Sequence, residues 1–551
     1  MSIKKRKDPM PDLLIKNARV IDGSGAKPFQ ADLGVTKGVI THMDREINLA
    51  CSKIINGSGL VVSPGFIDIH THSDFTLLLE PTAESRVRQG VTTEVTGNCG
   101  GSPAPVLPAG RDAFMEYMTD LGKYYKQHIS PEEWNWESLD DFYSQLSANG
   151  TAVNVVPLVG HSTLRANVMG YENRPPDQNE MKQMKYLLKR ELEKGAFGLS
   201  SGLIYHPGAF ADKRELMELA MVVKDFHGIY STHMRSEGKF LFEAVEEALS
   251  VARESGVSLQ ISHLKCETPV MWGKSTLLLD KIDQARKQGV RVHFDQYPYT
   301  AYHTGLLEIF PSWAKEGGAS RLMDFLTTDH TRKKIVAEMT NPPDDWDNPM
   351  EGLGWDRIQI LGYTRPENMA LNGLTVEQMA KTLGLDPLEA IFQVFCQENG
   401  GLGMIVFAMS EKDLVTIMQN PHGMVGSDGC SVTPRGPTGK SPVHPRFYGT
   451  FPRVLGKYVR EKNSITLEQA VHKMTGLPAR KLGLTDRGLI KKGMAADLVL
   501  FDPDTIQDRA TFEDPHQYPM GIVHVIVNGQ AVVLNGEHTK KLPGKRLSRS
   551  N

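Results

Sequence analysis

Cysteine is scarce in this chain, with five in 551 residues, at positions 51, 99, 266, 396 and 430. An odd and widely scattered set argues against a disulfide framework and fits a reducing, cytoplasmic setting. Long hydrophobic runs are missing too. None approaches the roughly 18 apolar residues a membrane helix needs, so no membrane partner is expected. The N-terminal stretch MSIKKRKDPMPDLL is basic but has no apolar segment behind it, which excludes a secretory signal of the usual form. Charge of one sign is also lacking. A formal net charge of -3 gives no case for a nucleic-acid surface. No Walker-type or dinucleotide-type glycine pattern follows a strand, so nucleotide-dependent chemistry has no support. What is present is an ordinary globular composition, 40% hydrophobic and 23% charged, on a chain long enough for one large enzyme core and a smaller domain.

The most informative stretch is PGFIDIHTHSD, residues 64 to 74. An apolar run leads into His70 and His72, one residue apart. Alternate side chains of a strand share a face, so both imidazoles point the same way and can grip one divalent cation.

The rest of the chain has a consistent texture. Residues 11 to 62 and the region from AADLVLFDP to IVHVIVNGQAVVL look like short strands with turns. Asn528-Gly529 between two apolar runs is a strong hairpin signal. Neither piece buries a core alone, so together they are expected to form one small β-sandwich or barrel domain from 1–63 and 484–540. The middle, 64–483, alternates strand-like runs at 66–70, 91–96, 152–159, 196–200, 229–233, 257–263, 290–294 and 422–427 with amphipathic stretches. That alternation predicts an α/β fold of parallel βαβ units, a (β/α)8 TIM-type barrel with its site at the carboxyl ends of the strands. The excess between runs seven and eight, 303–390, is expected to be an insertion or lid. Residues 541–551 read as a basic, solvated tail.

Ligand-type residues fall on those strand ends. His70 and His72 end the first run, Cys99 in GNCGG follows the second, His233 ends the fifth, His263 the sixth and Asp428 the eighth. A barrel brings all six to one mouth. Nitrogen and thiolate ligands suit zinc, and Cys99, His233 and His263 leave a fourth position open, as a catalytic zinc requires. Asp428 is then the general base that takes a proton from water and hands it to a leaving nitrogen. His70 and His72 can hold a second, weaker metal. Hydrolysis of a carbon–nitrogen bond is the chemistry this set suits.

These residues resemble the amidohydrolase superfamily, and within it the N-acyl-D-amino-acid deacylase (D-aminoacylase) family. The resemblance covers nearly the whole chain and rests on GFIDIHTHSD, GNCG, GLSSGLIYHPG, THMRSEG, ISHLK, DQYPYTA, GSDG, HPRFYGTFPRVLGKYVRE and MTGLPARKLGL. It implies the tight zinc at Cys99, His233 and His263, the looser site at His70 and His72, and a small-molecule substrate, an N-acylated D-amino acid. It also implies that Lys265 and Tyr297 hold the substrate carboxylate; Lys265 faces the same side of its strand as His263. Tyr205 belongs to the cleft lining or to the core, Arg235 to the site or to a loop brace, and His161 has no clear role. Where some members carry pocket aromatics this chain has Ile204 and Val406, while Met409 matches. Between Tyr302 and Trp313 only His303 offers a basic group, so neutral, hydrophobic D-side chains are expected. The alternatives are a cyclic-amide hydrolase of the hydantoinase or dihydroorotase type, or a dipeptidase. The cyclic-amide enzymes usually bridge two metals with a carboxylated lysine from the fourth strand, and AFGLSSG has none.

Overall fold

Parallel strands buried on both faces carry the centre of the molecule. The computed structural model describes residues 10–120 and 134–549. Residues 1–9 of the expected small domain and 550–551 of the tail lie outside them. Six parallel strands pair in the order Gly423–Val425, Val292–Gln296, Ser258–Ile261, Ile229–His233, Gly198–Gly202 and Val159–Gly160. Three more, Phe66–Asp68, Val91–Thr96 and Asn154–Pro157, form a second parallel sheet. The sheets share one run of chain, interrupted only at Leu158, and a parallel bridge from Thr71 to Gly429 ties their outer strands. The expected runs therefore hold, with ends displaced by up to two residues.

The helices between them follow from local signals. Asp177 caps Gln178–Glu193 in a box with Glu180, and Gly256, at φ 74°, ends Leu241–Ser255 in the left-handed conformation. Both helices bury one apolar stripe against the strands. No described helix is long and apolar enough to cross a membrane.

Both terminal segments enter one nine-stranded sheet, joined where Val61–Pro64 pairs antiparallel with Leu498–Phe501. Asn528 and Gly529, at φ 48° and 79°, turn the hairpin between Ile522–Val527 and Gln530–Leu534, as their sequence predicts. The chain passes from this sheet into the first parallel strand at Gly65, where a Cβ would lie 2.2 Å from Thr92 Oγ1, so only glycine fits.

Two of the expected regions gain detail. The stretch expected as an insertion at 303–390 carries its own sheet. Its antiparallel sheet joins Tyr302–Gly305, Gly403–Val406 and Ile358–Leu361, around a separate core that includes Leu306, Phe310, Phe392 and Met404. Part of the final stretch, expected as a basic, solvated tail, is docked. Pro543 and Arg546 bridge Thr151 and Val155, and Leu547, 6% exposed, packs with Ile67, Val95 and Leu482. One leucine among the lysines and arginines carries enough apolar surface to dock it.

Candidate metal centre

Every ligand-type residue named from the sequence sits at or just past the carboxyl end of a parallel strand. His233 is the last residue of Ile229–His233, while His70, Cys99, His263 and Asp428 lie two or three residues beyond their strands. Cys99, His263 and Asp428 have φ of 50°, 35° and 51°. Non-glycine residues in this left-handed region cost energy and persist where the surroundings fix them, commonly at functional sites. Cys99 is held by close packing: a Cβ on Gly202 would meet its carbonyl oxygen at 2.2 Å.

The side chains converge. Cys99 Sγ is 3.3 Å from His70 Nε2 and 3.6 Å from His263 Nε2. Two groups share Cys99, one with His233 and His263, the other with His70, His72 and Asp428, and within each the ligand atoms lie within 4.8 Å of one another. His72 Nε2 is 2.9 Å from Asp428 Oδ1, and His70 Nε2 is 3.5 Å from the same oxygen. Both ring nitrogens of His233 are buried without a hydrogen-bond partner. A nitrogen left unpaired in a buried site costs stability unless something absent from the polypeptide binds it.

The electrostatics of the cluster favour positive charge. Burial pushes the Cys99 thiol up, yet His70 and its other imidazole neighbours bring it well below its ordinary value. Burial opposes charging His70 and His72, but Cys99, Asp295 and Asp428 outweigh it. His70 is raised well above its usual range and His72 to about 9. A thiolate flanked by imidazolium protons is a cluster whose protons a divalent cation can replace. The donor set, thiolate and imidazole with a carboxylate at the edge, fits zinc.

A second layer orients the ligands, and the sequence reading missed it. His263 Nδ1 lies 2.8 Å from Glu237 Oε1; with Nε2 turned to Cys99, Nδ1 donates to Glu237. His70 Nδ1 lies 3.2 Å from Asp295 Oδ1, which also accepts the His263 backbone N–H at 2.8 Å. Such carboxylate partners fix the tautomer and direction of a metal-binding histidine. The only signals were Glu237 four residues after His233 and Asp295 as the first residue of the DQYPY motif.

Arg446, from the motif HPRFYG, was also missed as a site residue. It is buried, 2.9 Å from Asp428 Oδ2, with its guanidinium 4.8 Å from the centre of the Tyr297 ring. Burial pushes the Asp428 carboxyl up, but Arg446, His72 and His70 hold it well below the usual carboxylate range.

The remaining expected residues divide. Lys265 lies in the site, ion-paired to Glu237 at 2.6 Å, and Tyr297 beside it has a buried hydroxyl with no partner. Tyr205 stands edge-on to His233, ring centres 5.0 Å apart, and bonds Thr304 through its hydroxyl. Arg235 bonds Glu247 and two backbone carbonyls, a loop brace. His161 is buried against Glu215 at 2.7 Å, away from the cluster. Met409 lines neither large cavity; it faces a small void behind Tyr297, and Val406 is fully buried in the core of the 302–406 segment. Met404, two residues earlier on the same face of Gly403–Val406, lines the cleft where Val406 does not.

Two cavities meet at the cluster and share Tyr205, His303, Thr304, Glu308 and Asp428. The larger, about 960 Å³, reaches past Lys265 and Ile204. The smaller, about 300 Å³, is walled by Phe75, Leu307, Leu402, Val432 and Phe447. Lys315, just beyond the stretch searched for a basic residue, lines the larger cavity but is ion-paired to Glu308 at 2.5 Å. The fourth strand, Gly198–Gly202, has no lysine to bridge two metals, and Cys99 occupies the position between the two groups.

Comparison with known proteins gives a family. A model described as the amidohydrolase family matches residues 53–533. The chain is 36% identical over 541 residues to an N-acyl-D-glutamate deacylase of Alcaligenes xylosoxydans xylosoxydans, covering 98% of this chain and 96% of the relative. It is also 36% identical over 548 residues to a D-aminoacylase of the same organism, covering 98% of each. The crystal structure of an N-acyl-D-glutamate deacylase from Bordetella bronchiseptica, complexed with zinc and a phosphonate mimic of the tetrahedral intermediate, superposes with a TM-score of 0.80 at 34% identity. That match covers 98% of this chain and all of the other.

Proposed function

Because the chain belongs to the amidohydrolase family, we propose that it is a metal-dependent N-acyl-D-amino-acid deacylase. It cuts the linear amide to a carboxylate and a free D-amino acid. The observation that carries this reading is the sharing of Cys99 between two ligand groups at one rim of the parallel strands. We read the two parallel sheets as one closed (β/α)8 barrel. The terminal sheet is then a small β domain from 1–63 and 484–540, and the segment 302–406 covers the mouth.

Cys99, His233 and His263 form the tight site and His70 with His72 the weaker one. A zinc ion held by these residues would lower the pKa of a bound water and polarise a carbonyl. Asp428, buried between His72 and Arg446, takes the proton of the attacking water and delivers it to the leaving nitrogen. Lys265 and the unpartnered Tyr297 hydroxyl hold the α-carboxylate, with Arg446 at its flank. The amino-acid half then occupies the larger cavity, and the acyl group turns toward the smaller, more apolar one. Tyr205 walls both. The lysine-free fourth strand disfavours a cyclic-amide hydrolase. Five free cysteines fit a cytoplasmic setting.

The test is to incubate zinc-loaded protein with paired N-acetyl-D- and N-acetyl-L-amino acids and to score free amine. Release from the D series alone is expected. Equal release from both, or from neither, contradicts the reading.

A further inference from the structure

The larger cavity is strongly acidic. Its walls hold ten carboxylates against four Lys or Arg side chains. All four cations are already engaged, Lys213 with Glu254, Arg235 with Glu247, Lys265 with Glu237 and Lys315 with Glu308. Some of the carboxylates are likewise spoken for, Asp428 by Arg446 and Glu246 by Arg253 and Lys281.

Glu267 and Asp347 make no ion pair among the described residues. Glu267 is 8% exposed; it accepts a hydrogen bond from the Tyr302 hydroxyl, but its Oε1 is buried without a partner although the residue lines the cavity. Asp347 comes from the 302–406 segment and reaches across to accept the Lys239 backbone N–H at 3.0 Å. Burial and the nearby Glu237 push Glu267 up to about 8, and burial with Glu351 and Glu237 raises Asp347. Removing a carboxylate from water without a counter-charge is costly, and a ligand cation relieves that cost. Phe240, Tyr302 and Trp346 line the same cavity, and an aromatic ring can attract a cation.

Position ties this acidic wall to the substrate. Glu267 is two residues beyond Lys265, and its backbone N–H donates to the Glu237 carbonyl at 2.9 Å. A side chain leaving the Cα whose carboxylate rests on Lys265 enters the region of Glu267. We propose that Glu267, with Asp347, forms a subsite for a cationic side chain, so that N-acyl-D-amino acids bearing a guanidinium or ammonium group are taken in addition to the neutral, hydrophobic ones expected from the sequence. This rests on the deacylase reading and names its substrate class.

The experiment compares N-acetyl-D-arginine with N-acetyl-D-citrulline, which has nearly the same shape without the charge, on the zinc-loaded enzyme. A charged hydrogen-bond pair should favour arginine by about tenfold or more in kcat/KM. In Glu267→Gln that ratio should fall toward one. D-arginine should also inhibit as a product more tightly than D-citrulline, a readout that needs no turnover of either. Citrulline equal to or better than arginine, or a ratio unchanged in Glu267→Gln, overturns the subsite. If N-acetyl-D-leucine is cut while arginine gains nothing, only this inference fails. If no N-acyl-D-amino acid is cut, the deacylase reading fails and takes the subsite with it.

Discussion

Cys99 Sγ and His263 Nε2 stand 3.6 Å apart although 164 residues separate them in sequence. No local interaction produces that approach. It follows from two strand ends delivered to one rim, and from a left-handed backbone at both residues that turns their side chains inward. Cys99 is also the one residue common to both ligand groups. Cys99→Ser replaces the thiolate with a poor zinc ligand. Its zinc affinity should fall by more than the roughly 10–100-fold that losing a supporting partner costs. Metal analysis after dialysis against a chelator reads this directly; unchanged zinc content would remove Cys99 from the ligand set.

Glu237 touches His263 and Lys265 at once, at 2.8 Å and 2.6 Å. Glu237→Gln keeps the shape but loses the charge. Zinc affinity should drop by about 10–100-fold, and KM should rise because Lys265 loses its anchor. A variant with wild-type zinc affinity and a raised KM would restrict Glu237 to positioning Lys265.

Asp428→Asn should retain zinc at Cys99, His233 and His263 but lose about 10²–10⁴-fold in kcat, the usual worth of a general base. Substituting Arg446 tests the same carboxylate from the other side. Arg446 holds Asp428 low, so Arg446→Met lets its pKa rise and should move the acid limb of kcat/KM to higher pH. A limb that stays in place would mean that a different group sets it.

Zinc affinity should strengthen as pH rises. In the metal-free cluster His72 is raised from 6.5 to about 9 and His70 well above its usual value. Metal binding must displace those protons, and the competition fades as pH climbs through the raised values. The His72 contribution to metal-free stability runs the other way, being full below the unfolded value and lost through about 9. Competition titrations between about pH 6 and 9 should give up to tenfold tighter binding per unit for each proton released. A flat profile would contradict the protonated histidines.

Much of this site was legible in sequence because its ligands are rare residue types at strand ends. His70-x-His72 and GNCGG mark themselves, and the Asn528-Gly529 turn does the same for the hairpin. Glu237, Asp295 and Arg446 escaped notice because Glu, Asp and Arg are common and mostly solvated. Only the fold reveals that they are buried against His263, His70 and Asp428. Val406 was placed in the pocket by a comparison of motifs, which does not reveal that Met404, two residues earlier on the same strand face, is the side chain that reaches the cleft. Leu547 shows the same limit at the end of the chain, where composition reads as solvated and one buried side chain decides otherwise.

The account stands or falls on the coupling between zinc and amide hydrolysis. Metal-free protein titrated with zinc should gain deacylase activity on an N-acetyl-D-amino acid in step with occupancy, reaching its full value when the Cys99–His233–His263 position is filled. Activity that is complete without zinc, or that the metal restores equally well in Cys99→Ser, would contradict it.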